Sequence, residues 1–554
     1  MIRTPKYQPR KLLVVWITVV IALLTASRTL GARVERSIET WRPIHYSISI
    51  TLNQQLTNIR RATADVTVTT TKPNVQNIDF DFGALPIESV KVNNRAARFS
   101  RSGEKLIVRL PKPVERGARV VVTVNYHGKP KDGLILRNDK DGKPSAVGDN
   151  WPNRVHHWIP TLDHPSAKAS VTFTITAPSE NLVVANGKLK SVASSSAMTR
   201  TWQYEEVAPI PPYCMIFAAG QFSKLTPEAT HIPLDYYVPR SDEPFAEKGF
   251  SATEPSVRLF SEIVAPYPYA KLALIIGATQ FGGMENSSAI VFGSSLFNAQ
   301  PNTRLSQTFG VSSSVVELIA HEVAHQWFGD SVTEATWADL WLSEGFATYF
   351  AGVFVQKTDG EAAFQRYMSD AADTVFRYKE QKRTPLHDLE TEDLFKLLNP
   401  NNYQKGAWVL HMLRARMGDD AFFRGIRNFY DAHKTSIATS EDLRRSLEEA
   451  SQLNLREFFS SWVYSTGHPH YDFSWRWDAT TKVIHVELNQ IQAGAMFSNW
   501  VPLQVSNERG SQIIVLKPTS KRFATRYAFE ERPTLVELDP ENTVLKQVTQ
   551  RSTE

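Results

Sequence analysis

Residues 321 to 325 read HEVAH. On a helix, His321 and His325 would stand one above the other, because residues four apart share a face. Two imidazole nitrogens so placed can meet one Zn²⁺ at about 2.0 to 2.1 Å. Glu322, one residue on, can reach a water in an open coordination position. Such a string arises by chance in roughly 2% of chains of this composition, so its surroundings decide. Nineteen residues after His325 comes Glu344, inside ADLWLSEGFATYF, which is apolar on nearly every helical face. A carboxylate buried there needs a partner, since an unpaired buried charge is very costly. Two histidines and a distant glutamate leave one position free for water, the arrangement of a catalytic rather than a structural zinc.

The elements that must position these residues follow from periodicity. From about 40 to 225 apolar residues recur at every second position, as in Tyr46, Ile48, Ile50 and Leu52 or Val171, Phe173 and Ile175, which predicts a β domain. From about 250 to 465 the spacing becomes helical, in SSSVVELIAHEVAHQWF, LWLSEGFATYFAGVFVQ and GAWVLHMLRARM. The last 85 or so residues return to short alternating strands such as KVIHVELN. The reading is a multidomain α+β chain: a leader over 1–32, a β domain over 33–228, a mainly helical catalytic domain over 229–466 and a β domain over 467–554.

The net charge of +5 excludes little by itself. Residues 1 to 32 carry five of the 62 basic residues and no acid, so the remaining 57 basic residues meet 57 acidic ones. With no basic excess to neutralise phosphates, a nucleic-acid partner is not expected. The 15-residue apolar run Leu12–Ala26 follows a basic start and suits a signal-peptide core better than a span of about 20 residues. An uncleaved membrane anchor is the alternative, and in either case the rest of the chain is expected to be exported. The single cysteine, Cys214, permits no internal disulfide and reads as a packed, inert thiol.

HEVAHQWFGDSVTEATWADLWLSEGFATYF, with FGGMEN (281 to 286) some 35 residues upstream, closely resembles the M1 family of zinc aminopeptidases, gluzincins that include leukotriene A4 hydrolase. The resemblance runs from about residue 40, through WIPTLDHPSAKASVTFTITAP, to GHP at 467 to 469. It implies an N-terminal β saddle, a thermolysin-like catalytic domain and a small β-sandwich. It further implies one zinc ion held by His321, His325 and Glu344, with Glu322 as general base toward the water at the fourth position and then as proton donor to the departing amine. NNYQKGAWVLHMLR looks like the family's Tyr-x-Lys-Gly stretch, which makes Tyr403 the oxyanion donor. FGGMEN is similar to the family's exopeptidase motif. By that likeness Glu285 faces the substrate's free α-amino group, Gly282 and Gly283 meet its main chain, Met284 lines the first side-chain pocket and Asn286 completes the binding set.

Two departures from the family stand out. Where it commonly supplies a second acidic or amide residue to the amine, this chain has Trp151, with Asp149 or Asn150 as substitutes. The segment after Pro469 is also too short for the helical superhelix that roofs the cleft in many members. The expected function is therefore an exported zinc aminopeptidase acting on peptides with a free N-terminus. Three alternatives stay open: an epoxide hydrolase like leukotriene A4 hydrolase, a thermolysin-type endopeptidase, and a catalytically inactive peptide-binding module. A second metal site at His156 and His157, near His127 and His164, is not expected, because the spacing fits no strong ligand pattern. His411 is read as a packed helix residue.

Overall fold

The computed structural model describes residues 33–36, 39–298, 314–379 and 384–550. The apolar run Leu12–Ala26 lies outside them. Among the described residues no helix is long and apolar enough to cross a membrane.

Strand Trp41–Leu52 pairs antiparallel with Ile59–Thr70 and parallel with Ala169–Pro178 inside an eight-stranded sheet. Its alternation turns Tyr46, Ile48 and Ile50 inward, where they meet a core that includes Phe80, Val124 and Phe173. A three-stranded sheet, Val75–Asp81 with Lys105–Val114 and Phe99–Ser102, contributes Ile78, Phe80, Leu106 and Val108 to the same core.

The β region reaches the helical region through two further sheets. A four-stranded sheet containing Pro144–Gly148 and Phe217–Gly220 packs against a five-stranded sheet, with Val147, Val184 and Ile216 of one meeting Tyr237, Ile275 and Val291 of the other. The five-stranded sheet begins with Ser223–Leu225, which pairs with Leu234–Val238. The expected boundary at 228/229 thus falls in the loop of a hairpin, and backbone pairing continues across it. KLALIIG forms the strand Leu272–Gly277, buried on both faces, with Ala289–Gly293 parallel beside it. Gly283–Met284 is the edge strand, antiparallel to Ala289–Gly293.

The helices Val315–Ala324, Trp341–Asp359 and Gly406–Met417 share one core with the inner face of this sheet. Trp341–Asp359 is buried without a break through Val355, as its all-round apolar sequence requires. Beyond it, the strands His470–Asp478 and Val483–Gln490 of one sheet and Val501–Asn507 of another enclose a core of Tyr471, Phe473, Val486, Leu503 and Val505. The architecture is multidomain α+β, with a β-rich N-terminal part, a helical middle and C-terminal sheets.

Candidate active site

The helix Val315–Ala324 starts on a capping box: the Ser314 hydroxyl accepts the Glu317 N–H at 3.2 Å and the Glu317 carboxylate accepts the Ser314 N–H at 3.0 Å. His321 follows this cap by about two turns and His325 by about three. Their Nε2 atoms lie 3.0 Å apart. Glu344 Oε2, from the first turn of Trp341–Asp359, lies 3.3 Å from His321 Nε2 and 3.4 Å from His325 Nε2. All three residues are buried, and Glu344 Oε2 has no hydrogen-bond partner of ordinary geometry. A tetrahedral ion with bonds of about 2.0 to 2.1 Å sets its ligands about 3.3 Å apart, so the trio fits a metal. His325 Nδ1 donates to the Phe328 carbonyl at 3.1 Å and lies 3.1 Å from Ser343 Oγ, so Nε2 is the ring nitrogen that faces Glu344. Glu344 is held down to about 2, since His325 and His321 outweigh the effect of burial.

Glu322 lies against FGGMEN. A Cβ at Gly283 would overlap the Glu322 carboxylate, whereas one at Gly282 would meet only Leu318, at 3.6 Å. Gly283 is therefore required sterically and Gly282 is not. Ligand atoms of Glu285, Glu322 and His325 all lie within 4.8 Å of one another. Burial pushes the Glu322 carboxyl well above its ordinary range, with His325 opposing and Glu285 and Glu344 adding to the rise. Burial likewise pushes Glu285 up to about 7, against His325.

The rest of FGGMEN braces this strand. Asn286 is fully buried and its amide donates to the Met284 carbonyl at 3.3 Å, so it holds the turn from inside. Met284 is buried in an aromatic cluster with Trp151, Tyr213, Trp337 and Tyr403. Gln326, which sequence reasoning passed over although it directly follows HEVAH, donates to the Glu285 carbonyl at 2.7 Å and accepts the Ser288 N–H at 2.8 Å.

Tyr403 sits in a π-helical turn, Asn401–Lys405, before helix Gly406–Met417, a deviation common at functional sites. Its ring stacks on His321 at 5.8 Å and 6°. Burial, then the Glu344 carboxylate, push its phenol well up, so it stays a proton donor. Gly345 and Gly406 bring the two helices into backbone contact: a Cβ on either would lie 2.9 Å from the other's Cα. That contact, one residue after Glu344 and three after Tyr403, sets the distance between them. Only a pairing of distant glycines could have revealed it in the sequence.

Neither expected substitute for a second amine anchor is free. Asp149 forms an ion pair with Arg154 at 3.1 Å and accepts the Gln280 N–H at 3.2 Å and the Thr279 hydroxyl at 3.3 Å. Asn150 donates to the Met215 carbonyl and accepts the Trp158 indole N–H, both at 2.8 Å. Trp151 makes edge contacts with Phe281, Trp337 and Phe395 at 5.8 to 5.9 Å. Cys214 is buried, its thiol pushed well up by burial and donating to Asp330 Oδ1 at 3.1 Å. His411 is packed among Tyr349, Phe364 and Trp408.

The sequence model described as the Peptidase M1 N-terminal domain matches residues 42–214, and that of the Peptidase family M1 domain matches residues 252–462. Similar proteins include "Probable aminopeptidase 1" of Sulfurisphaera tokodaii, 27% identical over 72% of this chain and 50% of that protein. "Leucyl aminopeptidase" of Saccharolobus solfataricus is 25% identical over 71% of this chain and 50% of its own length. "Glutamyl aminopeptidase" of Homo sapiens is 29% identical over 59% of this chain and 35% of its own length. The chain thus spans about half the length, or less, of these relatives. With a trio that could hold a metal, an adjacent carboxylate and both family domains in order, the chain belongs to peptidase family M1.

Proposed function

We propose that this chain is an exported zinc aminopeptidase that releases N-terminal residues from peptides with a free α-amino group. The observation that carries the reading is the packing of Gly283 on the Glu322 carboxylate, with Glu285 within 4.8 Å of Glu322. An α-amino nitrogen lies about 2.5 Å from the carbonyl carbon of its own residue. A carboxylate that grips the amine must therefore stand within a few Å of the general base, and an endopeptidase has no need of one there. The similar proteins named aminopeptidases support the same direction.

His321, His325 and Glu344 would hold one Zn²⁺, which when bound supplies a Lewis acid and lowers the pKa of water at its open position. Glu322 accepts the proton of the attacking water and then delivers it to the departing amine. Its carboxylate packs on Gly283 and stands within 4.8 Å of ligand atoms of Glu285 and His325, which places it beside the amine and the metal position. Tyr403 donates its phenolic proton in a hydrogen bond to the oxyanion. Glu285 pairs with the substrate ammonium, and Met284 with the aromatic cluster lines the first side-chain pocket. Export rests on the basic and apolar character of residues 1 to 32.

A panel of aminoacyl-nitroanilides and matched free and N-acetylated peptides, assayed with and without chelator, tests the reading. Cleavage limited to free amines, lost with chelator and restored by Zn²⁺, is expected. Equal cleavage of acetylated peptides would transfer the site to an endopeptidase.

A further inference from the structure

The sequence gives no reason to expect a second metal site at His156 and His157, and His127 and His164 indeed point elsewhere. His127 pairs with Glu88 at 2.8 Å, and His164 with Glu35 and Ser166. The fold instead supplies a third group from a distant hairpin. Glu104 lies in the turn between strands Phe99–Ser102 and Lys105–Val114, its carbonyl fixed by the Phe82 N–H at 2.7 Å. Its Oε2 lies 3.4 Å from His156 Nε2 and its Oε1 lies 3.8 Å from His157 Nδ1.

The ring nitrogens are sorted as metal-binding histidines require. His156 Nδ1 lies 2.7 Å from Asp163 Oδ2. The same carboxylate oxygen accepts the His156 N–H at 3.1 Å, and the Asp163 N–H donates to Asp81 at 2.9 Å. With Nδ1 directed at Asp163, Nε2 is the nitrogen that His156 can offer to a metal, an orientation that a second-tier carboxylate gives most metal-ligating histidines. His157 Nδ1 is buried and has no hydrogen-bond partner. Beneath it lies Gly83, where a Cβ would stand 2.9 Å from that nitrogen. Two imidazole nitrogens thus converge on one carboxylate, and all three ligand atoms lie within 4.8 Å. The Glu104 side chain is 55% exposed, so its rotation can close the remaining gap without moving the buried rings.

We propose that His156 Nε2, His157 Nδ1 and the Glu104 carboxylate form a second divalent metal site of the zinc class, remote from HEVAH in sequence and built on the β region. Two nitrogens and one carboxylate suit Zn²⁺ among common divalent ions, and would bind Mg²⁺ or Ca²⁺ poorly. The ion would tie the hairpin turn at Glu104 to the segment 155–164. Arg101 stands nearby but is committed to the carbonyls of Gly83 and Leu85. Arg154 is committed to Asp132 and the Trp151 carbonyl.

The full chain is stripped with chelator and dialysed against a fixed free Zn²⁺ concentration, and bound metal is then counted by mass spectrometry. The expected result is two equivalents for the wild type and one for Glu104→Gln and for His157→Gln, both keeping aminopeptidase activity. A His321→Ala/His325→Ala double variant also keeps one, which separates this site from the catalytic trio. Glu104→Gln alters an exposed side chain, so loss of its metal cannot be ascribed to misfolding. One equivalent in the wild type and none in the double variant overturns the proposal and leaves His156 as an imidazolium between Asp163 and Glu104. Two equivalents in Glu104→Gln and His157→Gln overturn it as well.

Discussion

The two histidine clusters use the same ligand types and hold them differently. At HEVAH the nitrogens lie 3.0 Å apart on one helix, and the carboxylate comes from a second helix buried around it. At His156 and His157 the rings sit on a single 3₁₀ turn, and the carboxylate comes from an exposed hairpin at 3.4 and 3.8 Å. The first geometry is set by the core before any ion arrives, which suits an open coordination position used for chemistry. The second closes only when its exposed arm rotates, which suits a clamp between two segments. Burial and rigidity, more than ligand identity, separate the two.

Removing the proposed proton carrier beside the rigid cluster should have the largest effect. Glu322→Gln should lower kcat by on the order of 10²- to 10⁴-fold while bound zinc, measured on the same sample, stays the same. Loss of metal along with activity would mean that Glu322 shapes the trio rather than acting beside it. Tyr403→Phe should cost roughly 10²- to 10³-fold in kcat, with little change in KM, because the phenol is needed as charge develops on the oxygen. A change confined to KM would move Tyr403 from the reacting centre to substrate binding. Glu285→Ala should raise KM and lower kcat for free-amine substrates, together about 10- to 100-fold for one charge-assisted hydrogen bond, with zinc retained. Unchanged kinetics would leave the amine without an anchor, since Asp149 and Asn150 are already committed.

The contrast between the clusters also explains what could be read from the sequence. His321, His325 and Glu344 are legible because helical periodicity converts spacing directly into direction, and the buried helix around Glu344 announces itself by composition. The period-two strands of the β region are legible for the same reason, since each face repeats locally. Glu104 is not, because its meeting with His157 depends on how a hairpin packs across a sheet, which no local period encodes. Gly345 and Gly406 are invisible for a related reason: each looks like an ordinary helix-weakening residue until the two backbones touch. The π turn at Asn401–Lys405 likewise follows from tertiary fit. Ser223–Leu225 joins the catalytic-side sheet through a hairpin whose loop reads, in sequence, as a domain boundary.

A third histidine sharpens the comparison from the opposite side. His411 is buried among aromatic rings, its Nε2 has no hydrogen-bond partner, and the Asp539 and Glu361 carboxylates only partly offset its burial. Burial, with Arg414 adding to it, holds its pKa down to about 4. The unfolded chain binds a proton here near pH 6.5, so between pH 6.5 and 4 the unfolded state carries more protons than the folded one. Stability from this residue is therefore fully present above pH 6.5 and is lost as pH falls toward 4. For His411→Leu, which keeps a similar apolar volume, the drop in Tm between pH 7 and pH 4.5 should be smaller than in the wild type by about 1 to 3 °C. Identical pH slopes for the two proteins would show that His411 keeps its proton when folded and that burial among aromatic rings does not set its titration.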